Sequence, residues 1–495
     1  MSSTREGDDS FVFCGTVAHS TPTNALDIRE NAILGVAGGK VIFFDHQSRL
    51  QQLLQEHEID QENVHQLTNG QFLMPGLVDC HFHSPQLSIQ ALGTDLGLLD
   101  WLDTYTFPAE EGFSSVEFAR NAHEKTVKRT LRCGTTAAAY YSTIHRETTM
   151  FLCDFAENLG QRAFVGKVNM DMKAPDSYRE TTEESLAETA RFIKDVLERK
   201  YSLVTPVITP RFAVSCSKPL LDGLGRMAKE YNLPVQTHLN ETTEERKLVL
   251  ELHPGNATYT EVYDNANLLG PKTILAHCIQ SNDNEIDIIK TRGCGVIHCS
   301  CSNITLRSGV MDLRKFLNYG VKLGLGTDVG AGYTPSILSA MRHSVDASNI
   351  LAIKHAQQQV QNGHPRIPYE PITISEAFRL ATLGGSEVLG LNCGNFESGR
   401  EFDALLIDPN TSNSPLDIFL LIKPKTSSRN SSTQEMKTTW LPCTLKHDGY
   451  CDLYTLVHLQ IPVLHGAGRP SECSESPAAL TDVYCIITYS VVVIP

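Results

Sequence analysis

Short apolar runs alternate with amphipathic stretches along most of the chain, and this pattern predicts buried strands separated by helices. The apolar runs are continuous, as is typical of parallel strands that are covered on both faces. Eight strand–helix alternations predict an α/β fold with a (β/α)8 TIM-like barrel, with a doubly wound sheet as the alternative. The predicted barrel strands are 76–81, 135–140, 164–170, 204–209, 234–239, 273–278, 295–299 and 321–327.

The stretches between these runs have helical character. One of them, TTEESLAETARFIKDVLERK, opens with Thr181 and Glu184 at the spacing of a capping box, which predicts the start of a helix. Outside the barrel, the first 75 residues are rich in β-forming residues, and Gly38-Gly39 predicts a tight hairpin turn. The segment DALLIDP, after the barrel, predicts a strand that returns to this β domain.

These patterns divide the chain into four parts. The segments before and after the barrel are expected to form a small β-sandwich domain together. The last part is polar, Ser/Thr-rich and aperiodic at first, and we expect much of it to be poorly ordered. The predicted divisions are a β domain over 1–75, the barrel over 76–380, a return to the β domain over 381–418 and a divergent tail over 419–495.

Composition narrows the class of partner. The chain has 495 residues and a formal charge of −15, without a long basic run, so a nucleic acid or a membrane is not expected as a partner. A small-molecule substrate fits this charge better. The absence of a signal-like start or a long apolar run, and fourteen cysteines without a regular framework, predict a cytoplasmic protein with reduced thiols.

Five residues that can bind a metal or transfer protons fall at the ends of predicted strands. His81 and His83 share a face at the end of the first strand, because alternate side chains of a strand point the same way. His238 and His277 end the fifth and sixth strands, and Asp328 follows the eighth. Active sites of (β/α)8 enzymes lie at these strand ends, so the sequence predicts one catalytic metal site.

Several longer motifs resemble the amidohydrolase superfamily and, within it, the guanine deaminase family. The resemblance runs from about residue 10 to about residue 418. The segments YTFPAE and GQRAFVGKVNMD are of the kind that separates this family from other members of the superfamily. The motifs are MPGLVDCHFHSPQ, TPRFAVSC, THLNE, AHC, LGLGTDVGAGY and EAFRLATLGGSEVLGL.

The resemblance implies one zinc ion per chain, a homodimer, and hydrolysis of guanine to xanthine and ammonia. It implies that the zinc ligands are His81, His83, His238 and Asp328, with His277 beside them. The segment 204–209 lacks the lysine that bridges two metals in binuclear members, which favours a single ion. The implied substrate-binding residues are His83, Ser84, Pro85, Gln86, Arg211, Phe212, His238, Glu241 and Asp328.

Physical chemistry assigns the catalytic roles within this set. Asp328 is expected to accept a proton from the attacking water, and Glu241 to protonate the ring nitrogen and then the leaving amine. His277 is expected to stabilise the oxygen that forms on the substrate. Glu241 lies in the charge-rich run NETTEERK and would be an ordinary surface carboxylate without its position three residues after His238.

Two departures from the family pattern leave other functions open. The family's His-Cys-Pro-Asn-Ser-Asn is replaced by the sequence His-Cys-Ser-Cys-Ser-Asn at 298–303, and the tail over 419–495 looks unrelated to the family. One alternative is a catalytically silent or unstable variant. Another is an aminohydrolase that acts on a different heterocycle, such as a pterin, cytosine or a triazine.

Overall fold

The computed structural model describes residues 10–68, 70–362, 368–408, 456–458 and 486–488. The predicted tail over 419–495 therefore lies outside the described residues, apart from two short strands that pair in parallel, Leu456–His458 and Ile486–Thr488. None of the helices in the described part of the chain combines the length and the apolar character needed to cross a bilayer.

The N-terminal sheet has six strands, five of them from the start of the chain. The sixth, after the barrel, pairs antiparallel with β5. Gly38 and Gly39 join β2 to β3 with φ of +54° and +71°, which confirms the predicted hairpin. The strands are β1 (Phe11–His19), β2 (Asp27–Ala37), β3 (Lys40–His46), β4 (Val64–Gln66), β5 (Phe72–Pro75) and, after the barrel, β16 (Ala404–Ile407).

Both faces of this sheet are covered, but by different kinds of structure. Helix α1 (Leu50–Glu56) packs Leu53 and Leu54 against one face. Phe396 and Phe402, from the segment after the barrel, pack against the other. Among the described residues this is a single sheet without a facing partner, so the predicted sandwich of two sheets is not confirmed.

All eight predicted barrel strands are present and parallel. The third and fourth are each broken into two short pieces. Consecutive strands are neighbours in order, which agrees with a (β/α)8 barrel rather than a doubly wound sheet. The strands are β6 (Leu77–His83), β7 (Thr135–Tyr141), β8 (Arg162–Gly166) with β9 (Val168–Asn169), β10 (Val204–Pro206) with β11 (Thr209–Pro210), β12 (Val235–Leu239), β13 (Thr273–His277), β14 (Gly295–His298) and β15 (Lys322–Leu325).

Backbone contacts close the barrel at two points. Ile208 pairs with Val235, which links the fourth strand to the fifth. The N–H of Asp328 donates to the carbonyl oxygen of His81 at 2.9 Å, which joins the end of the eighth strand to the first. The side chains of Asp79 and Thr327 strengthen this seam, because the Thr327 hydroxyl donates to the Asp79 carboxylate at 2.6 Å.

Helices cover the outside of the barrel. The capping box predicted at Thr181 and Glu184 is confirmed at the start of α6. A π-helical turn over Leu102–Thr106 joins α2 to α3. The helices after α1 are α2 (Leu98–Trp101), α3 (Phe107–Glu111), α4 (Val116–Arg132), α5 (Arg146–Asn158), α6 (Thr182–Arg199), α7 (Lys218–Tyr231), α8 (Thr243–Leu252), α9 (Tyr259–Asn265), α10 (Asp283–Arg292), α11 (Ser300–Thr305), α12 (Leu313–Tyr319), α13 (Ile337–Asn362), α14 (Ile374–Arg379) and α15 (Gly385–Leu389).

Candidate active site

The five strand-end residues predicted from the sequence lie together at the carboxyl ends of the barrel strands, and all are buried. Ligand atoms of His81, His238, His277 and Asp328 lie within 4.8 Å of one another. His83 belongs to the same cluster, since its Nε2 is 3.1 Å from His238 Nε2 and 3.4 Å from Asp328 Oδ1. Four imidazoles and a carboxylate therefore lie close together.

The proton positions in this cluster favour a cation. His238 Nδ1 lies 2.6 Å from the backbone carbonyl oxygen of Arg211, and a carbonyl only accepts, so Nδ1 carries the proton. The lone pair of His238 is then on Nε2, which faces His83 Nε2 at 3.1 Å. The lone pair on His238 Nε2, the nearby His83 Nε2 and the carboxylate oxygen of Asp328 together form a donor set that suits a metal ion.

The electrostatics of the cluster point the same way. Burial, together with the neighbouring imidazoles, holds the pKa values of His83 and His238 well below the ordinary value. Burial also lowers the pKa of His81, although Asp328 opposes this. Burial acts to raise the pKa of Asp328, but the surrounding histidines outweigh it and hold that pKa well below the ordinary range. The cluster thus contains neutral imidazoles and an ionised carboxylate, the protonation states that metal ligands require.

Unusual backbone conformations turn two of these side chains into the barrel mouth. His277 and Asp328 have φ of +72° and +49°, in the left-handed region that few residues adopt. Gly326, two residues before Asp328, allows the first and eighth strands to approach closely: a Cβ atom there would lie 2.8 Å from the Cβ of His81. The backbone at these strand ends therefore has the conformations that bring the side chains of the cluster together.

Glu241 and His277 form the second part of the site. Glu241 Oε2 lies 3.5 Å from His277 Nε2, and Glu241 Oε1 accepts a hydrogen bond from the Ser308 hydroxyl at 2.9 Å. Burial raises the pKa of Glu241, so the carboxyl holds a proton more readily than an exposed glutamate. Burial acts to lower the pKa of His277, but Glu241 and Asp328 raise it above the ordinary value.

Two residues of α11 fix the orientation of this second part. His277 Nδ1 lies 2.8 Å from Asn303 Oδ1, which leaves His277 Nε2 facing the carboxylates of Glu241 and Asp328. The Ser302 hydroxyl donates to Asp328 Oδ2. The segment in which the chain departs from the family pattern therefore still places a serine and an amide against the site.

A cavity opens beside the cluster, and both apolar and polar side chains line it. Its polar wall is formed by Gln86, Arg211 and Glu241, together with four cluster residues. A cavity with a few convergent polar groups is the usual form of a small-molecule site. The apolar lining residues are Leu98, Trp101, Leu102, Phe212, Leu306 and Ala331.

One buried carboxylate organises the polar wall. Glu110 binds the Arg211 guanidinium through two hydrogen bonds of 2.6 and 3.1 Å. It also accepts hydrogen bonds from Gln86 Nε2 at 2.8 Å and from the Tyr178 hydroxyl at 2.9 Å. The guanidinium carbon of Arg211 lies 5.2 Å from the ring centre of Phe107. The arginine is thus held on its edge and on one face.

Some of the predicted substrate-binding residues line the cavity, and others do not. Gln86, Arg211 and Phe212 line the cavity. Ser84 and Pro85 are buried but do not line it, and the Ser84 hydroxyl lies 2.8 Å from His123 Nδ1 on α4. A substrate contact by these two residues stays a prediction.

Sequence reasoning missed four residues that hold the site together: Glu110, Ser302, Asn303 and Ser308. The segment YTFPAE, which ends in Glu110, carried a family signal but gave no indication of its partners. The other three lie just after β14, where only the strand end suggested proximity to the site.

Comparisons with known proteins agree with this geometry. The Amidohydrolase family model matches residues 72–439. The chain is 42% identical over 423 residues to guanine deaminase of Rattus norvegicus, covering 85% of this chain and 91% of that one. It is 43% identical over 412 residues to guanine deaminase of Homo sapiens, covering 82% and 88%. A crystal structure of guanine deaminase from C. acetobutylicum with guanine in its active site superposes with a TM-score of 0.74 at 35% identity, covering 81% of this chain and 91% of that chain.

Proposed function

The chain belongs to the amidohydrolase family, and from this premise we propose that it hydrolyses guanine to xanthine and ammonia. The observation that carries the proposal is the cluster of buried imidazoles and Asp328 beside a cavity whose polar wall contains Gln86 and Arg211. Relatives of more than 40% identity over most of the chain support guanine as the substrate.

We propose that the metal is a single zinc ion held by His81, His83, His238 and Asp328. The lone pair on His238 Nε2 and its short distance to His83 Nε2 support this set. When bound by these residues, zinc would supply Lewis-acid chemistry that lets water act as a nucleophile near neutral pH. His277 is left out of the set because its Nε2 faces two carboxylates, which suits a hydrogen-bond donor better than a ligand.

The residues around the metal would move the protons of the reaction. Asp328 accepts a proton from the water that attacks the amino-bearing carbon. Glu241 gives its proton to the adjacent ring nitrogen, takes up the proton of the new hydroxyl group and passes it to the leaving amine, and its raised pKa supports this role. The proton held by Asp328 returns to Glu241 before the next turnover. His277 donates a hydrogen bond to the oxygen that forms on that carbon. Water is consumed, the carbon–nitrogen bond breaks, and ammonia leaves.

The polar wall would orient the purine. Arg211 and Gln86 present N–H groups, which match the acceptor atoms of the ring edge that carries the carbonyl oxygen. Phe212 supplies an apolar face against which the ring can lie. This orientation directs the amino group towards the metal cluster.

We also propose that the protein is a cytoplasmic homodimer whose smaller domain is sandwich-like. The ten cysteines in the described part of the chain are all free and buried, as expected in a reducing compartment. The homodimer follows from the family resemblance alone. Sedimentation of the purified chain tests it directly.

A substrate panel tests the proposed function. Purified full-length protein loaded with zinc is given guanine while xanthine formation is followed by absorbance, and then a pterin, cytosine and a chloro-triazine. We expect turnover of guanine far above the others. Turnover of a different heterocycle with none on guanine would replace the proposed substrate, and a folded, zinc-loaded chain inactive on all four would indicate a catalytically silent protein.

A further inference from the structure

We propose that Glu110 is the specificity-determining residue of the purine pocket, because it positions Gln86 and Arg211 so that these two residues of the polar wall offer only hydrogen-bond donors to a ligand. The inference rests on the proposed function for the nature of the substrate. It concerns the choice between purines that carry an oxygen and purines that carry an amino group at position 6.

The carboxylate of Glu110 is used completely within the protein. Its Oε1 accepts from Gln86 Nε2 and Arg211 Nη2, and its Oε2 accepts from Arg211 Nη1 and the Tyr178 hydroxyl. These four donors match the roughly four lone-pair sites of an ionised carboxylate. The side chain is fully buried and does not line the cavity, so Glu110 acts through its neighbours and not by contact with the substrate.

Gln86 is fixed at both ends of its amide. Its Oε1 accepts the backbone N–H of Gly330 at 3.2 Å, and its Nε2 donates to Glu110 at 2.8 Å. A backbone N–H only donates and a carboxylate only accepts, so the amide has one orientation. Since Nε2 carries two hydrogens and one is used by Glu110, a single N–H remains for a ligand. Without the carboxylate, the amide could rotate and present its oxygen to the cavity.

Arg211 is held in the same way. Glu110 takes one N–H from each terminal nitrogen of the guanidinium, and Phe107 lies against its face. The remaining guanidinium N–H groups are the ones that a ligand in the cavity can use. Glu110 also neutralises the charge of a buried arginine, so the wall does not require an anionic ligand.

A wall of fixed donors selects the purine edge. In a 6-oxopurine, the carbonyl oxygen and the ring nitrogen N7 on the same edge both accept hydrogen bonds, whereas N1 carries a hydrogen. In a 6-aminopurine, the group at position 6 donates, which would place donor against donor. A site built to pair with one group rejects an analogue that leaves buried polar atoms unpaired. By fixing the orientation of Gln86 and Arg211, Glu110 makes the pocket selective for purines with an oxygen at position 6.

The test compares the wild type with Glu110→Gln, which keeps the size of the side chain and removes its charge. Turnover is measured on guanine and on 2,6-diaminopurine, which has the same reacting amino group but a 6-amino substituent. We expect kcat/KM for guanine to fall by about 10- to 100-fold. The preference for guanine over 2,6-diaminopurine should shrink by at least about tenfold, which a general loss of structure would not cause.

A binding measurement separates this inference from the proposed function. The dissociation constants of hypoxanthine and adenine, which differ at position 6 and lack the reacting amino group, are measured by calorimetry on both proteins. The wild type should prefer hypoxanthine, and Glu110→Gln should lose most of that preference. A wild type that binds hypoxanthine and adenine equally overturns the inference, whatever its turnover. A wild type that prefers hypoxanthine but does not deaminate guanine overturns the proposed function alone.

Two further variants guard against an unfolded protein. Tyr178→Phe removes one donor to Glu110 without removing a charge and should shift both preferences in the same direction, by about 2- to 10-fold. Glu180→Gln breaks the buried Lys167–Glu180 pair, in which the charged atoms are 2.7 Å apart. It is the matched control and should leave both preferences unchanged. Unaltered preferences in a folded Glu110→Gln, or in Tyr178→Phe if the former does not fold, overturn the inference.

Discussion

His238 donates a hydrogen bond from Nδ1 to the backbone carbonyl oxygen of Arg211, with 2.6 Å between the two atoms. The side chain of Arg211 lines the substrate cavity, while its carbonyl sets the ring orientation of a proposed metal ligand. Partners of this kind orient the ligand and fix its tautomer. One strand end would therefore support the proposed metal site through its backbone and bind the purine through its side chain.

This division of roles predicts that Arg211→Lys separates the two functions. The carbonyl of residue 211 stays in place, so we expect the variant to bind as much metal as the wild type. Lysine cannot form the two-point contact of a guanidinium, so kcat/KM for guanine should fall by about 100-fold. Metal analysis and steady-state kinetics on one preparation test this, and a variant that loses its metal would contradict it.

Glu241→Gln should remove turnover without removing the metal. The amide keeps the shape of the side chain but cannot give a proton to the substrate, and such steps contribute about 10²- to 10⁴-fold to rates. We expect a loss in kcat of this size with an unchanged melting temperature. Glu244→Gln, an exposed neighbour on α8, is the matched control and should behave as wild type. Near-normal turnover by Glu241→Gln would remove this residue from the mechanism.

Arg307 lies in the loop after α11 and binds the segment 94–96, the cover segment, which leads into the cavity-lining residues of α2. It donates hydrogen bonds to the carbonyl oxygens of Thr94, Asp95 and Leu96, just before the lining residue Leu98. We expect Arg307→Ala to loosen this cover and raise KM for guanine about 3- to 10-fold, while metal content is unchanged. Arg342→Ala, at another exposed arginine, is the control. An unchanged KM would show that the cover does not depend on Arg307.

A buried histidine outside the metal cluster predicts sensitivity to acid. Burial lowers the pKa of His123 to about 3 in the folded protein. The folded state therefore binds this proton less readily than the unfolded state, whose ordinary pKa is about 6.5, and stability is lost as the pH falls below that value. The contribution is roughly 2 kcal/mol between pH 7 and pH 5.

The matching experiment compares urea unfolding at pH 7 and pH 5. The wild type should lose more free energy of unfolding over this interval than His123→Gln, which cannot take up the proton. His65→Gln, at an exposed histidine, should retain the acid sensitivity of the wild type. If His123→Gln and the wild type lose equal stability, His123 does not stay neutral in the folded protein.

The sequence predicted the barrel and the metal cluster because both depend on local patterns. Continuous apolar runs marked the strands, and the period of two placed His81 and His83 on one face. The carboxyl ends of parallel strands meet at one mouth, so His238, His277 and Asp328 could be grouped without knowing the fold in detail. A residue's position at the end of a predicted strand therefore indicates which other residues lie near it in the fold.

The rest depended on how helices and loops pack, which the pattern does not encode. Glu110 lies on α3, after a π-helical turn, and binds Arg211 across 101 positions of the chain. No hydrophobic period signals this contact. The predicted sandwich is not confirmed among the described residues for a similar reason. An amphipathic strand shows that one of its faces is covered, but not whether by a second sheet or, as here, by α1 and Phe396.

The metal content of the purified full-length chain decides whether the strand-end cluster holds an ion. Elemental analysis of the wild type and of His81→Ala, His238→Ala and Asp328→Ala is combined with X-ray absorption at the zinc edge. We expect about one zinc per chain in the wild type with histidine nitrogens at about 2.0–2.1 Å, and little zinc in each variant. A folded wild type that takes up no metal, or variants that hold it as firmly as the wild type, would contradict the proposed metal site.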